Sequence, residues 1–118
     1  MSTRAISISA HSAIEVIAAP AIMAAPFLLG FGQAATVIAV TLGAVLLGLA
    51  LQVEGPNRSV SLSAHAGFDY LLAGVAAIGG LAVGLVADEW YAAIFLVGVG
   101  AAQVALTAST RFSVARGA

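Results

Sequence analysis

Apolar residues run in four long stretches along the chain, and short polar segments separate them. The stretches cover residues 13–31, 34–53, 66–87 and 90–108. Each is about 19 to 22 residues long and, as a helix, crosses the hydrocarbon core of a membrane, which is about 30 Å thick. The residues do not alternate between apolar and polar, as the strands of a transmembrane barrel would. The pattern therefore predicts four transmembrane helices.

The connections between the stretches are short and contain turn-forming residues. Gly30-Phe31-Gly32-Gln33 joins the first two stretches, and Asp88-Glu89 separates the last two. Only the middle connection, which begins at Glu54, is longer. Short connections make successive helices antiparallel neighbours. We therefore expect an all-α polytopic membrane protein in which residues 1–118 form a single four-helix domain.

The composition agrees with a membrane location and excludes several other classes of protein. The chain is 62% hydrophobic and only 8% charged, whereas about a quarter of the residues of a soluble domain are charged. We therefore expect membrane lipid to cover the helices. Four basic residues and a net charge of -1 are too few to neutralise phosphates, so we expect no nucleic-acid partner. Cysteine is absent, which excludes disulfides and thiolate chemistry.

The basic residues indicate the orientation of the helices. All of them fall on the side shared by the two termini and the middle connection: Arg4, Arg58, Arg111 and Arg116. The opposite side has Asp88-Glu89 followed by the aromatic pair Trp90-Tyr91. Positive charge is retained on the cytoplasmic side of membranes. We expect a multi-pass protein of a bacterial plasma (inner) membrane, with both termini cytoplasmic and the first helix retained as a span, not cleaved as a signal peptide.

The two halves of the chain resemble each other. The segment His11-Ser-Ala-Ile-Glu15 corresponds to His65-Ala-Gly-Phe-Asp69. Each half contains two of the predicted helices and starts on the same side of the membrane, so the repeats are parallel and related by a pseudo-two-fold axis along the membrane normal. Repeat 1 covers about residues 11–54 and repeat 2 about residues 65–112.

The first hairpin also resembles a known family. Pro26-Phe27-Leu28-Leu29-Gly30-Phe31 closes the first predicted helix, and this segment is similar to the SPW-repeat membrane proteins, whose two-helix unit ends its first helix in Ser-Pro-Trp before a glycine-containing turn. Ala25-Pro26-Phe27 stands at the place of that motif, and the second hairpin has no proline at residues 83–87. The resemblance implies a small membrane protein of two hairpins and no defined biochemistry.

Small residues provide faces on which the helices can pack. The segment from Gly80 to Gly84 matches the GxxxG pattern, and Gly43 and Gly100 offer further close contacts. Gln103 is expected to form an interhelical hydrogen bond at mid-depth. No phosphate-binding loop or nucleophile elbow is present. We therefore expect a non-enzymatic structural or accessory subunit that packs against copies of itself, as a homo-oligomer, or against a larger membrane complex.

Most of the ionisable residues are predicted to lie at one depth, close to the cytoplasmic side. This polar cluster contains His11, Glu15, Glu54, His65, Asp69 and Arg111. One interpretation is structural. Ser12 and Glu15 have the spacing of a capping box, and an acid in the first turn is favoured by the helix dipole. Glu15 and Asp69 would then cap their helices and pair with a nearby arginine.

The alternative interpretations are functional and depend on the duplicated histidine. His11 and His65, the two histidines of the chain, occupy equivalent positions in helices that enter the membrane side by side. They can ligate a cofactor, of which haem b is the leading candidate, or hold a divalent metal together with Glu15 and Asp69. A further alternative is a proton-coupled carrier or pH sensor, in which each carboxylate orients the histidine four residues before it.

Overall fold

The structure is a computed structural model that describes residues 4–53 and 61–112. Within these residues the chain forms four helices and two short strands. In chain order they are β1 (Ile6–Ser7), α1 (Ile8–Leu29), α2 (Gln33–Gln52), α3 (Leu62–Ala87), α4 (Trp90–Ala108) and β2 (Thr110–Arg111). All four helices are long and apolar enough to cross a membrane. The expected all-α fold with four spanning helices is confirmed.

The starts of α1 and α3 differ from the sequence prediction, because both helices begin about one turn earlier than the apolar stretches. Ser7 and Ser61 cap them, and each serine hydroxyl accepts a hydrogen bond from a backbone N–H three residues later at 3.1 Å. A serine at this position satisfies one of the free amides of the first turn. The capped turns contain polar residues that a hydrophobicity pattern assigns to the preceding loop.

The predicted capping box in α1 is therefore wrong. Because the helix starts at Ile8, Glu15 lies about two turns inside it. The Ser12 hydroxyl donates to the carbonyl oxygen of Ser9 at 3.1 Å and caps nothing. Glu15 is buried in the bundle, and its function has to be sought in its contacts with other helices.

Tight turns fold the helices into two hairpins, α1–α2 and α3–α4. Gly30 ends α1 in the left-handed conformation with φ 69°, and Asp88 ends α3 in the same way with φ 57°. Glycine adopts this conformation without strain, and aspartate tolerates it better than most residues. Both turns reverse the chain within three residues of the helix end, so the helices of each hairpin are direct neighbours.

Glycines bring the helices of each hairpin close together. A Cβ atom at Gly100 would lie 2.7 Å from the carbonyl oxygen of Ala73, and one at Gly43 would lie 2.8 Å from that of Ala19. Gly80 and Gly84 of α3 are similarly close to α4, with Ala93 next to both. The small-residue positions noted in the sequence therefore lie at contacts inside the hairpins.

The two hairpins contact each other mainly through α2, which packs against α3 and α4. Ala39, Leu42, Ala76 and Leu96 are among the buried residues of this apolar core. At the end with the tight turns, Glu89 Oε1 accepts a hydrogen bond from the Gly32 backbone N–H at 2.6 Å. On the other side of the bundle, a cleft of about 330 Å³ lies between α1 and α4.

The faces turned away from this core are apolar and exposed. Leu28, Ile78 and Leu85 are 83%, 71% and 74% exposed, respectively. Large apolar side chains on the outside of a helical bundle are stable in contact with lipid and unfavourable in contact with water. The burial pattern therefore fits a bundle that spans a membrane.

The two short strands join the ends of the described chain. They pair in parallel, with Ile6 opposite Thr110 and Ser7 opposite Arg111, and we call this pair the terminal clasp. Because α4 ends at Ala108, Arg111 lies beyond the helix and does not join the polar cluster that the sequence predicted. Its side chain is exposed, and Nη1 donates to the carbonyl oxygen of Arg4 at 3.0 Å. Thr110 is buried in its place.

The glycine contacts predict that a single methyl group disturbs the α3–α4 hairpin. Gly100→Ala should lower the free energy of unfolding by about 1–3 kcal/mol, because the new Cβ meets a backbone carbonyl that cannot move aside. Gly74→Ala is the matched control in the same hairpin, since a Cβ at Gly74 meets no atom within 4 Å. Unfolding in detergent micelles measures both variants, and equal stability of the two would contradict the assigned packing.

Candidate functional site

Four ionisable side chains from two helices meet inside the bundle. His11 and Glu15 come from α1, and His65 and Asp69 come from α3; each is at most 2% exposed. In both helices the histidine precedes the acid by four residues, which places the two side chains on one face, one turn apart. We call these four residues the quartet.

The quartet forms a closed ring in which nitrogen and oxygen atoms alternate. His11 Nε2 lies 2.8 Å from Asp69 Oδ2 and 3.2 Å from Glu15 Oε1. His65 Nε2 lies 3.2 Å from each of the same two oxygens. One candidate ligand atom from each residue lies within 4.8 Å of the other three. Each carboxylate therefore contacts both histidines, the one in its own helix and the one in the other hairpin.

Neighbouring polar groups orient two members of the ring from outside. Gln103 Nε2 donates to Glu15 Oε2 at 2.7 Å. The second nitrogen of His11, Nδ1, is 2.8 Å from the hydroxyl of Thr110. Asp69 Oδ1 differs from these atoms, because it is buried and has no hydrogen-bond partner among the described residues. The ring is thus held from the side of α4 and β2, and one carboxylate oxygen is left over.

An aromatic ring covers the quartet at the end next to the terminal clasp. The Phe112 ring centroid is 5.1 Å from that of His11 and 5.9 Å from that of His65. The two imidazoles are 5.6 Å apart and nearly perpendicular. Edge-to-face contacts of this kind are favourable. Phe112 reduces the access of water to the quartet. The electrostatic interactions among the four side chains are stronger where water is excluded.

The structure brings together four of the six residues of the polar cluster described from the sequence. His11, Glu15, His65 and Asp69 form the quartet. Arg111 lies outside it, on the exposed side of β2, and Glu54 lies outside the described residues. Gln103 contacts Glu15 and so belongs to the surroundings of the site as well as to the helix packing.

Thr110 and Phe112 also contact the quartet and are not among the residues predicted from the sequence. A signal for Thr110 was present, because Gln103, Thr107 and Thr110 follow the spacing i, i+4, i+7 of one helix face. The same periodicity also fits a face that ends at Arg111, so the pattern alone does not single out Thr110. No sequence pattern indicates Phe112, which approaches the histidines only because the chain turns into β2 after α4.

The surroundings limit the charge that the quartet can carry. An uncompensated charge is expensive in an apolar interior, and more so inside a membrane. Two carboxylates are neutralised either by protons on both imidazoles or by one divalent cation bound to neutral imidazoles. Two nitrogen and two oxygen donors also form a set that borderline transition metals accept. The site can therefore hold ion pairs or one metal ion.

Comparison with protein-family models, with the sequences of characterised proteins and with solved structures gives no match for this chain. The resemblance to SPW-repeat proteins stays a prediction. Any function has to be inferred from the residues and their geometry.

The charge balance predicts a large effect of removing one carboxylate. In metal-free protein, Asp69→Asn should lower the free energy of unfolding by about 3–5 kcal/mol, because it leaves a buried charge without its partner. Asp88→Asn is the control: Asp88 is exposed and contacts Trp90 Nε1, and a surface change of this kind alters stability by about 0.5 kcal/mol at most. Thermal unfolding in detergent measures the stability of both variants. Equal stability of the two would contradict the role of Asp69 in balancing the charge of the quartet.

Proposed function

We propose that the protein is a non-enzymatic integral membrane protein that binds one divalent transition-metal ion at the quartet. His11 and Glu15 are the ligands from the first hairpin, and His65 and Asp69 are those from the second. A tetrahedral metal bound through ligands at about 2.0–2.2 Å separates the ligand atoms by about 3.3–3.6 Å. The nitrogen–oxygen distances around the ring, 2.8–3.2 Å, are slightly shorter, so the four side chains would have to move apart only a little to take up an ion.

The observation that carries the proposal is the unpartnered Asp69 Oδ1. A buried carboxylate oxygen without a hydrogen bond is costly, and such atoms are rare in folded proteins. Every described neighbour leaves it unsatisfied. A cation that Asp69 binds through both carboxylate oxygens satisfies this atom and needs no additional donor from the protein.

The ligand types favour a particular class of metal. Imidazole nitrogen suits zinc, iron, nickel, copper and cobalt, whereas calcium and magnesium are bound by oxygen ligands. Two carboxylates with two neutral imidazoles carry a charge of about -2, which one divalent ion cancels. A centre that is neutral overall is the least expensive one to bury in a membrane-spanning bundle.

A metal ion fits this geometry better than haem b, the cofactor that the histidine pair first suggests. Two axial histidines must approach the iron from opposite faces of a porphyrin that lies between them. Here the carboxylates of Glu15 and Asp69 lie within 3.2 Å of both Nε2 atoms, in the space that the porphyrin needs. A pH sensor or proton carrier would use the same four groups, but it gives Asp69 Oδ1 no partner.

We place the terminal clasp and both termini on the cytoplasmic side of a bacterial plasma membrane. The proposal is supported by Arg4 and Arg111, which lie at the terminal clasp, and by the retention of basic residues in the cytoplasm. The four helices are long and apolar enough to span a membrane. The metal would then lie near the cytoplasmic surface, within reach of ions from that side.

Direct metal counting tests the proposal. Protein purified in detergent is stripped with EDTA, loaded with Zn²⁺ or Co²⁺ and desalted, and its metal content is measured by mass spectrometry. Wild-type protein should retain one ion per chain. Glu15→Gln should weaken binding by more than about 100-fold, which exceeds the 10–100-fold losses typical of changes outside the ligand set.

The matched control is Glu89→Gln, which makes the same chemical change at the other end of the bundle. Glu89 accepts a hydrogen bond from Gly32 and is far along the helices from the quartet, so this variant should bind metal like the wild type. The proposal would be overturned if the wild-type protein retained no metal after loading. It would also be overturned by a Soret band that His11→Ala abolishes. The second result would identify a haem protein.

A second candidate, an accessory subunit that associates through its helix faces, is supported by the outward-facing glycines. A Cβ at Gly48 or Gly98 would meet no atom within 4 Å, and small residues on lipid-facing helices permit close approach of another helix. Light scattering of the solubilised protein should then show an oligomer that Gly98→Leu weakens. A wild-type monomer in mild detergent would contradict this candidate and leave the metal proposal unaffected.

A further inference from the structure

We infer that Thr110 is a positioning residue of the metal centre: it holds His11 with Nδ1 protonated and Nε2 turned towards the other ligands. The terminal clasp is then part of the site, although it contributes no ligand. The inference rests on the proposed function and extends it to a residue outside the helices. Thr110 is fully buried next to His11.

The assignment follows from the number of protons available to the Thr110 hydroxyl. A hydroxyl has one proton to donate and lone pairs that accept. The Thr110 hydroxyl donates its proton to the carbonyl oxygen of Leu106 at 2.6 Å. In the 2.8 Å contact with His11 it can only accept, so His11 Nδ1 carries the proton and donates it.

A proton fixed on Nδ1 determines what the other nitrogen can do. In the neutral imidazole that binds a metal, only one nitrogen is protonated, so Nε2 of His11 offers its lone pair to the ion. Without a metal the same nitrogen donates a proton to Asp69 Oδ2 at 2.8 Å, and Glu15 Oε1 lies 3.2 Å away. Metal-binding histidines almost always donate from their second nitrogen to a neighbouring group, which fixes the tautomer and the ring orientation. Thr110 supplies that neighbour here.

The terminal clasp places Thr110 where its hydroxyl can accept the hydrogen bond from His11 Nδ1. Thr110 pairs with Ile6 in the parallel register, and the Ile6 N–H donates to the carbonyl oxygen of Ser109 at 3.0 Å. Strand β1 is directly followed by the first turn of α1, which carries His11. The hydroxyl that orients the histidine and the helix that carries it are therefore held by the same strand pair. By linkage, metal binding and clasp closure stabilise each other.

The two histidines are consequently not equivalent, although they occupy corresponding positions in the repeat. Among residues 4–53 and 61–112, only His11 has a hydrogen-bond partner at Nδ1. His65 is held through Nε2 by Glu15 and Asp69, and its ring packs against Phe112. The site combines one histidine with a fixed tautomer and one that is positioned by its contacts with the acids.

The test compares Thr110→Val with Thr110→Ser in the full-length protein. Valine keeps the shape and removes the acceptor, whereas serine keeps the hydroxyl. Zn²⁺ affinity should fall about 10–100-fold in Thr110→Val and stay close to wild type in Thr110→Ser. Thr107→Val is the matched control, because Thr107 is buried one turn earlier and its hydroxyl lies near Gln103, not near a histidine.

Two further measurements distinguish a role of Thr110 in positioning His11 from a general effect on the structure. Nitrogen-15 NMR of histidine-labelled, Zn²⁺-loaded wild-type protein should show His11 with Nδ1 protonated and Nε2 bound to the metal. Zn²⁺ should slow hydrogen exchange of the Ile6 amide in wild type and in Thr107→Val, but not in Thr110→Val. If Thr110→Val fails to fold, the NMR signal of the wild type and the affinity of Thr110→Ser still decide.

The outcomes distinguish this inference from the proposed function. A wild-type protein that binds Zn²⁺ with the same affinity as a folded Thr110→Val variant would overturn the role of Thr110 and leave the metal site standing. An unprotonated Nδ1 on His11, or a Thr110→Ser variant as weak as Thr110→Val, would also overturn it. Failure of the wild type to bind Zn²⁺ would overturn the metal site and this inference together.

Discussion

The arrangement of this bundle depends on the compensation of charge inside an apolar, membrane-spanning structure. Two carboxylates and two imidazoles are buried in the quartet, and none of them is stable there alone. Each acid contacts one histidine of its own helix and one of the other hairpin. The quartet therefore fixes the distance and the register between the starts of α1 and α3, and it determines where the two hairpins meet.

Two kinds of contact hold the bundle together, and they act in different places. Within each hairpin, glycines such as Gly43 and Gly100 allow backbones to touch, so dispersion forces suffice. Between the hairpins, an apolar core around α2 is supplemented by polar contacts at both ends, the quartet at one and the Glu89–Gly32 hydrogen bond at the other. The quartet is buried inside the bundle, where water does not compete with its contacts.

The differences between expectation and structure have a common physical cause. Apolar stretches mark where side chains meet lipid, but helices are also stabilised by caps and buried contacts. For this reason α1 and α3 extend beyond the apolar stretches, and Glu15 lies inside the helix and not at its cap. The exit of the chain from α4 at Ala108 likewise depends on the pairing of β2 with β1. This pairing buries Thr110 and exposes Arg111.

The sequence by itself determined the number and kind of helices, because the length and apolarity of each stretch are local properties. It also determined that each histidine shares a helix face with an acid, since four residues make about one turn. Only the tertiary structure decided which imidazole meets which carboxylate, which oxygen is left without a partner, and that Thr110 and Phe112 complete the site. These features depend on the approach of two hairpins and on the path of the chain after α4, and such long-range contacts leave no periodic signal in the sequence.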